Sequence, residues 1–331
     1  MAKPGEHFIQ KVAEYEQSLT QKIFDLDGQL PYTLYHYTSS GGLIGILTSR
    51  AFWMTNVQYM NDSSELEYGQ NLFRAAIQEE FSALSTKEEE SELRKFLSRY
   101  SSPNYSVRPN ISFEFFVTSF CEDGNLLNQW RSYGGQGGGY SLGFDFSFLL
   151  PGLSLPCTPA KVIYDPKIQQ EAISSLLEQT IQKYSELDTL NIEEKLREDL
   201  ARNLEETFLK LGTQIVIRSK HPAFETEQEW RLVLQAPMYA SRVNQNQWDF
   251  TAMGFRSSGG DIIPYYSVNF EKAIAASLDD QSGIGFPMRD VVIGPTVDPE
   301  LNQKSVSALL ETLNSEFKNI VRVSGLPLRW L

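Results

Sequence analysis

The segment ISFEFFVTSF, residues 111–120, is the strongest candidate for a core strand, because it mixes β-branched and aromatic residues. Shorter runs of the same character occur on both sides of it. They are TLYHYT (33–38), AFWMT (51–55), YSLGFDF (140–146), AKVIYD (160–165), QEWRLVLQ (228–235), IIPYYSV (262–268), RDVVIGPT (289–296) and NIVRVSGLP (319–327). We expect these runs to form a central, mostly antiparallel sheet around residues 111–120.

Helical periodicity fills much of the remaining chain, at residues 7–26, 41–50, 61–81, 86–99, 125–134 and 299–314. Residues 166–217 are also strongly helical and rich in Glu and Lys. We expect this stretch to pack beside the sheet as a helical insertion or cap. Because helices are bunched between groups of strands, the pattern favours one α+β domain over residues 1–331.

Composition narrows the class of protein. With 331 residues, 41% hydrophobic and 12% aromatic, the chain has enough apolar material for a substantial core. A formal net charge of -13 offers no overall basic surface for nucleic acid or anionic membranes, although a local patch is still compatible with it. No run approaches the roughly 20 apolar residues of a membrane helix. The two cysteines, Cys121 and Cys157, form no disulfide framework, so we expect a cytoplasmic protein.

The sequence does not support a serine hydrolase or a metal site. The run Gly139 to Gly143 fits G-x-S-x-G, but a strand-like run follows the serine, where a nucleophile elbow needs a helix. The three histidines are scattered, so no metal site is expected.

The first candidate segment is Tyr35–Ser39, at the end of a predicted strand. His36 there can present its imidazole to a ligand, and Ser39 or Ser40 can cap the next helix. A buried, hydrogen-bonded core histidine explains His36 equally well.

The second candidate segment runs from Thr118 to Cys121 and leads to Gln129–Tyr133. A hydroxyl at a strand end, as at Ser119, and an aromatic ring one short helix later can clasp a planar group. The alternative is that Trp130 and Tyr133 face the core, which we favour for Trp130.

The third candidate segment has glutamates at 225, 227 and 229, before Trp230-Arg231. Alternation on a strand would put Glu227, Glu229 and Arg231 on one face. A surface edge strand would show the same pattern, but Glu is a poor strand former, which favours a functional role.

These segments carry a family resemblance. The runs YHYTSSGGLIGIL, WMTNVQYMNDSSE, VTSFCEDGNLLNQWRSYG, HPAFETEQEWRLV and VVIGPTVD, spread over about residues 32–328, resemble a bacterial domain family of unknown function. That family has YHYTS, MND-x-x-E, QWR-x-YG and E-x-EWR segments. The resemblance supplies no activity.

More distantly, the order of the motifs resembles the ADP-ribosyltransferase superfamily, which binds NAD. The resemblance implies that His36 and Thr38 lie at the cofactor, with the imidazole on the adenosine ribose and the Tyr37 backbone on the nicotinamide amide. It implies that Ser119 lies in the second strand and that Tyr133 stacks on nicotinamide. Glu229 would be the catalytic glutamate and Glu227 would orient the acceptor, which the sequence does not identify.

The implied activity is ADP-ribosyl transfer or NAD hydrolysis, in a toxin or phage-defence effector. Its glycosidic chemistry passes through an oxocarbenium-like state and needs no metal. We therefore expect His36, Ser119 and Glu229 to lie in one pocket on one side of the sheet, with Arg131 and Arg231 as further candidates. We also expect Glu229→Gln to leave stability almost unchanged, because relief of repulsion with Glu227 offsets any lost pairing.

Two other functions stay open. One is a metal-dependent nucleic-acid-processing effector that uses Asn61, Asp62 and Glu65 with Glu229, although Asn61, Asp62 and Glu65 are also typical of helix capping. The other is a non-catalytic module whose cleft senses a nucleotide or another small molecule.

Overall fold

The computed structural model describes residues 4–60, 63–83, 91–101, 113–133, 138–237, 253–258, 260–274, 287–313 and 320–327. Its helices are α1 (Pro4–Asp25), α2 (Ser40–Ser49), α3 (Ser63–Ala83), α4 (Glu92–Ser101), α5 (Leu127–Tyr133), α6 (Phe146–Leu149), α7 (Pro166–Asp188), α8 (Glu194–Arg218) and α9 (Pro299–Glu311). Short 3-10 helices cover Val57–Tyr59, Leu150–Gly152 and Pro222–Glu227. Within these ranges, no helix has the length and apolarity that crossing a bilayer requires.

One sheet organises the chain. Its strands are β1 (Thr33–Thr38), β2 (Ala51–Asn56), β3 (Phe113–Cys121), β4 (Tyr140–Asp145), β5 (Cys157–Lys161), β6 (Glu229–Pro237), β7 (Met253–Ser258), β8 (Asp261–Asn269), β9 (Met288–Ile293) and β10 (Val321–Val323). The order is β10-β9-β4-β1-β3-β2-β8-β7, with β6 on β3 and β5 on β6. The pair β9–β10 is parallel and the other strand pairs are antiparallel. The predicted α+β class with a mostly antiparallel sheet is confirmed.

The sheet branches at β3. Strand β6 pairs with β3 along its whole length, from Phe113↔Pro237 to Cys121↔Glu229. The other edge of β3 has two neighbours: β2 pairs at Phe116 and Val117, and β1 pairs only at Cys121. Between them, residues 118–120 have no strand partner on that edge among the described residues. The divergence of β1 and β2 opens a gap in the sheet.

Two large hydrophobic cores lie in the structure. The first packs alternate residues of β3 and β6, such as Phe116, Phe120 and Trp230, with apolar residues of α2 and α9. The second joins α1, α3, α4, α7 and α8 through residues such as Phe96 and Leu204. Residues 166–217 are described throughout and contain helical structure with no strand, as expected for that segment.

Two strands differ from the sequence-based expectation. The strand predicted at 160–165 ends earlier, at Lys161, because Asp165 caps α7 by accepting from Lys167 N and Pro166 begins that helix. Strand β7, Met253–Ser258, was not predicted. Within the described ranges it pairs only with β8, and it has glycine and serine among its six residues, so its sequence carries little β signal.

Candidate functional site

A cavity of about 620 Å3 lies at the gap between β1 and β2. This volume is in the usual range for small-molecule sites, roughly 300–1,000 Å3. The wall combines residues from β1, α2, β2, β3, α5 and the approach to β6. The lining includes His36, Tyr37, Thr38, Ser39, Gly42, Phe52, Thr118, Ser119, Gln129, Tyr133, Lys220, Glu227, Glu229 and Arg256.

His36 is held by the open edge of β3. Its Nδ1 lies 2.9 Å from the backbone oxygen of Ser119, and its ring packs against Phe52 and Phe120. Burial lowers the pKa of His36 from its ordinary value, so the ring is neutral at pH 7. A carbonyl oxygen can only accept, so Nδ1 carries the proton and Nε2 is an acceptor. Nε2 has no hydrogen-bond partner among the described residues.

His36 and Glu229 reach the cavity from opposite sides of the sheet. The His36 ring lies with Phe120 in the first core, whereas Glu229 follows the alternation of β6 onto the other face, away from Trp230. The expectation of a single side is therefore wrong. The structure still brings His36, Ser119 and Glu229 to one cavity, because the sheet is open where β1 and β2 diverge.

A buried cluster of charges forms the Glu229 wall. Arg231 donates to Glu229 Oε1 from Nε at 2.8 Å and to Oε2 from a terminal nitrogen at 3.1 Å. Lys220 Nζ lies 3.0 Å from Glu229 Oε2 and 2.5 Å from Glu227 Oε2. Arg231 also donates to the Ile217 carbonyl and does not line the cavity, so it neutralises Glu229 from behind.

The cluster keeps Glu229 ionised. Burial alone would raise the pKa of its carboxyl, but the charges of Arg231 and Lys220, with hydrogen bonds from Arg231 and Ser119, outweigh it and lower the pKa to about 2. This buried pairing contradicts the expectation that Glu229→Gln would leave stability almost unchanged. Replacing the carboxylate would leave Arg231 and Lys220 short of a counter-charge.

Glu227 reaches the cluster by a different route from the one predicted. It ends the 3-10 helix Pro222–Glu227 instead of lying on the strand, and Gln228 follows it in the left-handed region at φ 47°. Strand alternation therefore does not relate it to Glu229. The shared contact with Lys220 brings the two carboxylates together.

Helix α5 forms the wall beside Glu227. Asn128 Nδ2 donates to Thr226 Oγ1 at 3.4 Å, which ties this helix to the turn. Gln129 is buried and borders the cavity, and Tyr133 lies at the cavity wall and is 47% exposed. Trp130 faces the core, as expected. Arg131 is exposed and does not line the cavity.

The opposite wall is formed by the end of β1 and the start of α2. Ser39 caps α2 by accepting from Gly42 N at 3.2 Å. A Cβ at Gly42 would lie 1.9 Å from Thr38 Oγ1, so any larger residue there would force Thr38 to shift. The Tyr37 hydroxyl donates to the Asp123 carbonyl and accepts from Leu126 N, so both of its hydrogen-bonding roles are already used.

The residues proposed for a metal-dependent alternative are only partly placed. Asn61 and Asp62 lie outside the described residues. Glu65 lies in the first turn of α3, and its side chain is not described. Among the described residues, no group of three or more His, Cys, Asp or Glu side chains could hold a metal ion.

Sequence reasoning missed Lys220, Gln129 and Arg256 as cavity residues. Lys220 follows α8, and nothing in the local sequence indicates that the chain returns there to the start of β6. The QWR-x-YG segment, which begins at Gln129, was a sequence signal for this residue. Its position in a helix, however, gave no reason to expect Gln129 at the cavity when the adjacent Trp130 was expected to face the core.

Comparison with known protein families finds a match in the middle of the chain. Residues 129–232 match the family model "Protein of unknown function (DUF2971)". The matched stretch begins at Gln129 and contains Lys220, Glu227, Glu229 and Arg231. It confirms the resemblance to a domain family of unknown function and supplies no activity. No curated protein and no solved structure matches the chain.

Proposed function

We propose that the protein binds NAD in the β1–β2 gap and cleaves it as an ADP-ribosyltransferase-like enzyme of the cytoplasm. The observation that carries the proposal is the juxtaposition, in one cavity, of a neutral His36 and an ionised Glu229. The His36 Nε2 acceptor suits a ribose hydroxyl. Two unpaired cysteines, Cys121 and Cys157, agree with a reducing compartment.

The reaction follows from the charge at the Glu229 wall. The bond between the nicotinamide nitrogen and ribose C1′ breaks, and nicotinamide leaves as a neutral molecule with the electron pair. Positive charge then develops on the ribose, which a fixed carboxylate stabilises. Arg231 lies behind Glu229, so Lys220, Glu227 and Glu229 present two anions and one cation to the cavity. Water or an acceptor attacks C1′ and releases a proton.

A second candidate is a ligand-sensing module without catalysis. It is favoured by the hydrogen bonds that Glu229 already accepts on both carboxylate oxygens from Arg231 and Lys220. In such a module the charge cluster stabilises the sheet, and the cavity binds a nucleotide without cleaving it.

The test is nicotinamide release from NAD, measured by chromatography with and without Mg2+ or chelator. We expect metal-independent release, and a fall of about 100- to 1,000-fold in Glu229→Gln. Glu225→Gln, an exposed glutamate of the same turn, is the matched control and should retain full activity. The rate of nicotinamide release by each variant is divided by the fraction of that variant that is folded. Saturable NAD binding without release would support the sensor instead, and metal-dependent nucleic-acid cleavage would support the third alternative.

A further inference from the structure

Gln129 is a buried amide that faces the cavity. Only 4% of the residue is exposed. Its backbone N–H is bound by Asn128 Oδ1, but its side-chain amide makes no hydrogen bond to any residue in the described part of the chain. The amide atoms are not sealed off, unlike the orphaned Gln214 Oε1. An amide that has no protein partner and opens onto a cavity is available to bind a ligand.

Gln129 lies on the wall of the cavity that α5 forms. Helix α5 is joined to the turn that carries Glu227 through Asn128 and Thr226, and it packs against β1 through Trp130 and Tyr37. Tyr133 follows Gln129 by one helical turn, so the two side chains lie on the same side of the helix. Gln129 therefore belongs to the Glu227–Glu229 end, where the proposed reaction would place nicotinamide.

We infer that the Gln129 amide binds the carboxamide of the nicotinamide group, an inference that rests on the proposed function. A glutamine amide offers a donor and an acceptor side by side, and a carboxamide offers the complementary pair. Gln129 is thus a residue that selects ligands carrying a planar amide next to the bond that breaks. The sequence assigned that role to the Tyr37 backbone; in the structure Tyr37 packs against α5 through Trp130.

The first test is stability without ligand. Gln129→Leu removes an amide that has no partner, so its melting temperature should stay the same or rise. Gln169→Leu is the matched control, because Gln169 is also fully buried but donates to the Ile163 and Lys220 carbonyls and accepts from the Tyr68 hydroxyl. That control should melt about 2–6 °C lower. A comparable fall in Gln129→Leu would show a structural role and overturn the inference.

The second test is calorimetric titration with NAD and with ADP-ribose, which lacks nicotinamide. Gln129→Leu should bind NAD about 10-fold or more weakly and bind ADP-ribose as the parent does. If Gln129→Leu weakens both ligands equally, or neither, the inference fails, while nicotinamide release by the parent upholds the proposed function. If the parent binds neither ligand, the proposed function fails and the carboxamide assignment fails with it. Gln179→Leu, in α7 and outside the cavity lining, should bind both ligands normally.

Discussion

Replacement of Glu229 by glutamine is the sharpest test of the charge cluster. The change keeps the size of the side chain but removes the anion that Arg231 and Lys220 share. The pKa of Glu229 falls from 4.5 to about 2 in the folded protein, and each pKa unit corresponds to about 1.4 kcal/mol. We therefore expect the free energy of unfolding to fall by about 3 kcal/mol at pH 7, which is also the usual effect of breaking a buried ion pair.

The pH dependence of this loss follows from the direction of the shift. Because the folded-state pKa is depressed, the stabilisation by Glu229 is fully present above pH 4.5 and is lost as the pH falls from 4.5 towards about 2. Urea unfolding of the parent and Glu229→Gln should thus give curves that converge over this range. Glu225→Gln, which is exposed, should stay within about 0.5 kcal/mol of the parent throughout. Equal stability of the parent and Glu229→Gln at pH 7, or a difference that ignores pH, would refute the reasoning.

Two further predictions concern the opposite wall of the cavity. Gly42→Ala should lower the free energy of unfolding, measured in urea, by about 1–3 kcal/mol, because its Cβ would overlap Thr38 Oγ1. The control Gly45→Ala, in the same helix, meets nothing within 4 Å and should raise the free energy of unfolding by up to about 1 kcal/mol. Equal effects of the two substitutions would contradict the close approach of Gly42 to Thr38. Nitrogen NMR of the His36 ring should show a proton on Nδ1 and a pKa below 6.5, and an Nε2-protonated ring would remove the proposed acceptor for ribose.

Much of the fold follows from local sequence. The runs around residues 33–38, 111–120 and 228–235 carry β-branched and aromatic residues, and each contains a strand in the structure. Helices α7 and α8 follow from apolar periodicity in a polar stretch. These elements are predictable because each buries one face against a large core. Strand β7 was missed because it lies at the edge of the sheet, where packing imposes no pattern on the sequence.

The candidate site was less predictable, because it depends on contacts between distant residues. The sequence indicated His36, Ser119 and Glu229. It carried no sign that β6 pairs with one edge of β3 while β1 and β2 both pair with the other edge, so the branch of the sheet at β3 was not predicted. It also gave no sign that Lys220, which ends the α8 connection, would bind both carboxylates. Glu227 lies outside the strand because Gln228 adopts the left-handed conformation. A residue other than glycine rarely adopts this conformation, so the sequence does not indicate it.

The branch at β3 has a consequence for how the protein unfolds. One wall of the gap is built by β1 and α2, which contribute Leu34 and Leu43 to the first core. The other wall includes Lys220, which follows α8, a helix of the second core. A ligand that fills the gap therefore contacts elements that are connected to both cores. Its binding free energy is lost when either core opens, so saturation with ligand should make the two cores melt in one cooperative step and slow amide hydrogen exchange in α8 as well as in β1.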